Sequence, residues 1–195
     1  MAEKIPFTMD ELVWRSWSRP LALADCSPAQ VAVLEESDPS AKSNEYYLTL
    51  LRDAQALKAR SALFNAVMYG REGARRAFKE FAATAESREN GCVFCASVHA
   101  RLFVTFGKDR PSMEALLADG AAADLPPKLA AIAGFSRALA ATPPQVEPAH
   151  LEALRAEGFS DAEILDIGNA VAMFAWANRL MLTLGEPEHA PPPGA

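Results

Sequence analysis

The chain has 195 residues, 50% hydrophobic and 23% charged, which is ordinary globular composition and enough length to bury a sizeable core in one domain. Lys and Arg number 19 against 25 Asp and Glu, and the net charge of -6 leaves no basic footprint for nucleic acid or an anionic membrane surface. No stretch approaches the ~18 uninterrupted apolar residues of a membrane span and the first residues lack a secretory apolar run, so the expected location is the cytoplasm. Thiols stay reduced there, and three cysteines cannot make a disulfide framework, so any close pair calls for a chemical or metal explanation.

Runs with period two are scarce, while Ala, Leu, Glu and Arg dominate long stretches, so the expected class is all-α. Residues 1–40 read as an N-terminal arm broken by Pro20, Pro28 and Pro39, with short helices over 12–17 and 29–35. Its Trp14, Trp17, Leu21 and Leu23 need a surface to cover, in this subunit or in a neighbour. Residues 41–186 form the helical domain. Tyr47, Leu50, Leu51, Ala54, Leu57, Leu63, Val67 and Met68 recur at three- and four-residue steps, which predicts one long amphipathic helix over 44–69, ended by Gly70.

A second helix is expected over 73–88, with Phe78, Phe81, Ala82 and Ala85 on its buried stripe, stopping at Asn90-Gly91. A third runs over 92–106 to Gly107, and a short one over 113–118 leads to a turn at 120–124. Helices over 128–141 and 147–157 follow the breaks at Pro126-Pro127 and Pro143-Pro144. Ser160 with Glu163 makes a capping box for a last helix that Gly185 ends, and residues 187–195 are expected to be a flexible tail. Residues 99–107 echo 177–185, sharing Arg, Leu, Thr and Gly in step; a duplicated helical unit and convergence of two packed helices are both open.

Chemistry concentrates in 80–99. Cys92, Cys95 and His99 form C-x-x-C-x-x-x-H at a helix start, and at 100° per residue the three fall within about 60° of one another. Two thiols one turn apart can close to a disulfide, and the free N–H groups of a first turn favour thiolate. His99 can relay a proton to or from sulfur. A thiolate that attacks a peroxide becomes a sulfenic acid, which a second thiol condenses to a disulfide. A zinc site would want four ligands, and only Cys26, His150 and His189 remain, all distant in sequence. Haem attachment is excluded because Ala96 follows Cys95. Inert core cysteines remain an alternative.

Glu80, Glu86 and Glu89 are candidate proton acceptors that spacing alone does not separate. Glu80 shares its face with Gly73, Ala77, Thr84 and Ser87, small residues that admit a close neighbour, although an ordinary ion pair with Arg76 fits equally well. Glu86 shares its face with Lys79 and Asn90, which reads as solvated.

Residues 79–99 resemble the core of the AhpD-like alkylhydroperoxidases of the carboxymuconolactone decarboxylase superfamily: a glutamate twelve residues before the first cysteine, then N-G-C-x-x-C-x-x-x-H. The weaker likeness of 63–70 and 163–185 is to the peroxidase-related branch. The resemblance implies an all-α, compact multi-helix bundle in a homo-oligomer, trimer or hexamer, and an oxidoreductase that reduces organic hydroperoxides without a cofactor. It implies Cys95 as attacking thiol, Cys92 as resolving thiol, His99 as proton relay and Glu80 as base, with electrons from a dithiol reductant, lipoyl-bearing or thioredoxin-like. Phe94 stands where the best-studied members carry a histidine, and Phe81-Ala-Ala-Thr-Ala replaces an aliphatic run. The alternatives are a decarboxylase or lactone-processing enzyme of the same superfamily, and a non-enzymatic helical oligomer that senses redox state.

Overall fold

In chain order the protein runs β1 (Leu12–Ser16), α1 (Pro28–Ser37), α2 (Glu45–Leu50), α3 (Ala54–Tyr69), α4 (Arg76–Glu89), α5 (Val93–Gly107), α6 (Arg110–Asp119), α7 (Pro127–Ala140), α8 (Pro148–Ala156), α9 (Asp161–Leu184) and β2 (Gly185–His189). The structure is a computed structural model that describes residues 5–191. No helix among the described residues is long and apolar enough to cross a membrane.

Around α4 the rest is arranged. Ten of its fourteen residues are buried, and its Ala and Ser positions let α5, α7 and α9 approach closely. One apolar core, with Phe81, Phe103, Met113, Ile132 and Ile167, lies to one side of it. The other core gathers Leu34, Leu57, Met68 and Phe174 with Cys92 and Cys95. Burying a side chain such as Phe81 completely contributes about 1.5–3 kcal/mol. The residues that echo one another end α5 and α9, both of which pack on α4.

Four expectations are corrected. Residues 12–16 are a strand, not a helix: β1 pairs antiparallel with β2, from Leu12 opposite His189 to Ser16 opposite Gly185. Leu12 and Trp14 alternate inward with period two, and the strand partner lies at the far end of the chain, beyond the reach of a local pattern. The segment read as a loose tail therefore contributes residues 187–189 to this ribbon, while 192–195 lie outside the described residues. Gly185 is needed at the join, because a Cβ there would meet the Arg15 carbonyl and the Trp14 ring.

The helix expected over 44–69 is interrupted by a 3₁₀ turn at Leu51–Asp53, where the Asp53 carboxylate accepts the Ala56 N–H at 3.0 Å and caps α3. The apolar period continues through this break, so periodicity did not reveal it. Glu86, expected to be solvated, is fully buried with Lys79, whose ammonium reaches the Gly70 carbonyl at 3.0 Å. The Ser160–Glu163 capping box forms as anticipated.

Candidate active site

Local chemistry fixes the α4–α5 corner. Gly91 adopts φ 78°, a left-handed conformation that glycine takes without a Cβ penalty. The chain then turns so that the Cys92 N–H donates to the Ser87 carbonyl at 2.8 Å, and Cys92 becomes the residue that precedes α5. This places α5 antiparallel beside α4, with Glu80 facing His99.

Glu80 is fully buried and holds two partners: Arg76 Nε donates to Oε1 at 2.9 Å, and His99 Nδ1 lies 2.6 Å from Oε2. Burial pushes the Glu80 carboxyl up, but the His99 ring and the Arg76 guanidinium outweigh it, and the group is held below its ordinary value. With Glu80 ionised, Nδ1 of His99 carries the hydrogen, which leaves Nε2 of the neutral ring as an acceptor. The ring edge packs on Phe174, with centroids 4.2 Å apart, and this fixes its direction. The ion pair with Arg76 and the histidine partnership thus coexist on one carboxylate.

Both thiols are free and buried, Cys92 at 2% and Cys95 at 5% exposure. Cys92 is held below its ordinary value, first by the neighbouring Cys95 thiol as hydrogen-bond donor, against burial, and then by the N–H groups of Cys95 and Phe94. Cys95 is pushed well above its ordinary value by that same pairing and by burial. Its single proton has two sulfur acceptors to choose from: Met181 Sδ lies at 3.2 Å, and the Cys92 thiolate becomes the stronger one once it forms. One proton is shared within the pair, so the first negative charge belongs at Cys92.

The sulfurs open in different directions. Cys95 and His99 line a cavity of about 330 Å³ together with Tyr46, Phe64 and Phe174. Cys92 lines a separate groove of about 550 Å³ under the β1–β2 ribbon, between Trp14 and Pro187. Phe94 and Met181 border both spaces. A larger hollow, about 780 Å³ around Arg137 and His150, contains none of the four residues and has no comparable chemistry.

The sequence-predicted residues Glu80, Cys95 and His99 are thus brought together, with Cys92 at their edge. Cys26 lies apart, half-buried, its thiol donating to the Ala22 carbonyl at 3.4 Å. His150 accepts the Glu147 N–H at 3.1 Å and caps α8. Sequence reasoning missed Tyr46, Arg60 and Met181, which arrive from α2, α3 and α9. Tyr46 and Met181 offered only apolar spacing, which does not distinguish a cavity wall from core, and Arg60 offered no signal at all. Trp14 covers its own subunit, its Nε1–H donating to the Met181 carbonyl at 3.2 Å.

The fold and this helix-borne constellation define a class, and comparison with known proteins agrees. The carboxymuconolactone decarboxylase family model matches residues 54–138, from α3 into α7. A peroxidase-related protein with an AhpD core from Ralstonia eutropha JMP134 is similar at 25% identity and TM-score 0.76, over 89% of this chain and 92% of that one. A peroxidase-related protein from Silicibacter sp. TM1040 superposes at TM-score 0.70 and 21% identity, over 88% and 95% of the two chains. The debrominase Bmp8 shares the fold at TM-score 0.68 and 19% identity, over 90% and 91%. No curated protein matches the chain. Over residues 54–138 the chain is thus similar to the carboxymuconolactone decarboxylase family, and its fold is that of the AhpD-like, peroxidase-related proteins.

Proposed function

We propose that the protein is a thiol peroxidase that reduces organic hydroperoxides through Cys92 and Cys95, with Glu80 and His99 moving the protons. Family and fold support a peroxidase-related function in general. The observation that carries the finer reading is the buried Glu80–His99 contact of 2.6 Å, set on the same cavity as the Cys95 sulfur. A buried carboxylate that orients an imidazole beside a nucleophile is the arrangement that activates a poor acid.

The reaction balances as follows. His99 takes one proton from the thiol pair, leaving Cys92 ionised and Cys95 protonated. The shared proton then shifts to Cys92, and the Cys95 thiolate attacks the distal oxygen of the hydroperoxide. The O–O bond breaks, Cys95 becomes a sulfenic acid, and His99 gives its proton to the departing alkoxide to make an alcohol. The Cys92 sulfur displaces hydroxide from the sulfenic acid, which leaves with the Cys92 proton as water, and a Cys92–Cys95 disulfide remains. The peroxide gains two electrons and the pair loses two. A dithiol returns them by attack on Cys92, from the groove under the ribbon, and departs as a disulfide.

The homo-oligomer belongs to this proposal, and exposed Leu63 and Trp176, on α3 and α9, support it as an apolar face for a second copy of the chain. The redox pair argues against the decarboxylase and lactone-processing alternative, which has no use for it. Peroxide consumption with a panel of dithiols tests the reading: Cys95→Ser abolishes turnover and Cys26→Ser retains it. Turnover that survives Cys95→Ser overturns it.

A further inference from the structure

The cavity shared by Cys95 and His99 contains two polar groups that the thiol chemistry leaves unused. Tyr46 is 4% exposed, and its hydroxyl has no hydrogen-bond partner. Arg60 lines the same cavity, and its Nε is buried without a partner. Among the described residues Arg60 joins no ion pair; its polar contact is the Tyr47 hydroxyl, 3.4 Å from Nη1. Its guanidinium lies over the Phe64 ring at 4.4 Å and the Tyr47 ring at 5.5 Å, which restrains its plane.

The carboxylates nearby are occupied. Asp38, which also lines the cavity, accepts the Ser40 N–H at 2.8 Å and the Ser40 hydroxyl at 2.6 Å. Glu80 is bound to Arg76 and His99. Tyr46, pushed well above its ordinary value by burial, stays protonated and can donate to an anion. A buried donor without an acceptor is costly, and native structures keep such groups where something else completes them. Here the missing acceptor is an oxygen anion, and the walls around it are the rings of Phe64, Phe94 and Phe174.

We infer that this cavity selects substrates that carry a carboxylate on an aromatic or similarly flat apolar body, seating the carboxylate on Arg60 and Tyr46 and the reactive group against Cys95. Arg60 supplies charge and Tyr46 a directional donor, so each is a specificity determinant. The reactive group as a hydroperoxide rests on the reading above; the anion site does not. At about 330 Å³ the cavity is at the small end of ligand pockets, which suits a single-ring acid better than a long acyl chain.

Two measurements test this. In the first, para-isopropylbenzoate and its methyl ester, neither of which has an O–O bond, are titrated into the reduced wild-type protein by calorimetry. The acid is expected to bind roughly tenfold tighter or more. In the second, kcat/KM is compared for cumene hydroperoxide and its para-carboxylated analogue, with the same preference expected. Arg60→Met and Tyr46→Phe each bring both ratios toward one. An ester that binds as well as the acid in the wild type overturns the inference, and this arm needs no variant to fold. So do ratios that survive both substitutions. Selective acid binding without peroxide consumption leaves the anion site standing and removes the peroxidase reading; peroxide consumption with no acid preference does the reverse.

Discussion

Glu80 Oε2 and His99 Nδ1 lie 2.6 Å apart, in a carboxylate–imidazole contact that no solvent reaches from the Glu80 side. Nineteen positions of sequence separate them, yet the Asn90-Gly91 corner folds α5 back on α4 and closes that distance. The contact sets the imidazole tautomer, and the tautomer decides whether Nε2 can accept a proton from sulfur.

Glu80→Gln keeps the side-chain shape but removes the charge that Arg76 and His99 both use. Peroxide reduction should fall about 10²-fold, the size of a lost general base. Unfolding free energy should drop by about 3 kcal/mol, because a buried partner is left unpaired. Kinetics normalised to folded protein separate the two effects, and unaltered kcat/KM would remove Glu80 from the relay.

The charge distribution within the thiol pair predicts a labelling order. Near neutral pH a small alkylating reagent should modify Cys92 ahead of Cys95, by roughly tenfold, because Cys92 is the lowered partner and Cys95 the raised one. Fragment mass spectra locate the adduct within the shared peptide. Label arriving first at Cys95 would reverse the assignment.

Glu86 makes a pH prediction of definite sign. Burial pushes its carboxyl up to about 7, against an Asn90 hydrogen bond of 2.6 Å, and its Oε2 has no partner. The unfolded chain ionises near 4.5 and the folded one near 7, so the Glu86 contribution is complete below 4.5 and is lost as pH rises between those values. Denaturant unfolding should show a loss on the order of 2 kcal/mol over that window, and Glu86→Gln should flatten it. A slope unchanged in the variant would contradict the assignment.

Trp14 ties the ribbon to the site. It is 4% exposed, its ring meets Tyr46 edge-on with centroids 5.5 Å apart, and its indole N–H holds the Met181 carbonyl. Trp14→Ala should cost about 3–5 kcal/mol in thermal or denaturant unfolding. A loss below ~1 kcal/mol would mean that the ribbon is not part of the folded core.

Much of the site was legible in the sequence because its parts are local. Glu80, Cys95 and His99 occupy two successive helices and Cys92 ends the short turn that joins them, so helical spacing and the resemblance sufficed to place them. Tyr46, Arg60 and Met181 were not legible, since each reaches the sulfurs from an element whose position depends on packing across the whole chain. The helix ends marked by Gly70 and Ser160 were read correctly because caps are local chemistry. The ribbon was missed because its two strands sit near opposite ends of the chain, and Glu86 because a charged side chain is ordinarily assigned to solvent. A helix as closely surrounded as α4 breaks that rule.

The proposed catalysis depends most on the two sulfurs acting as one redox unit. Reduced protein treated with one equivalent of cumene hydroperoxide should, by intact and peptide mass spectrometry, lose two hydrogens and gain a Cys92–Cys95 link, with Cys26 still free. Thiols that stay unmodified while the peroxide persists, or a link that involves Cys26 instead, would contradict it.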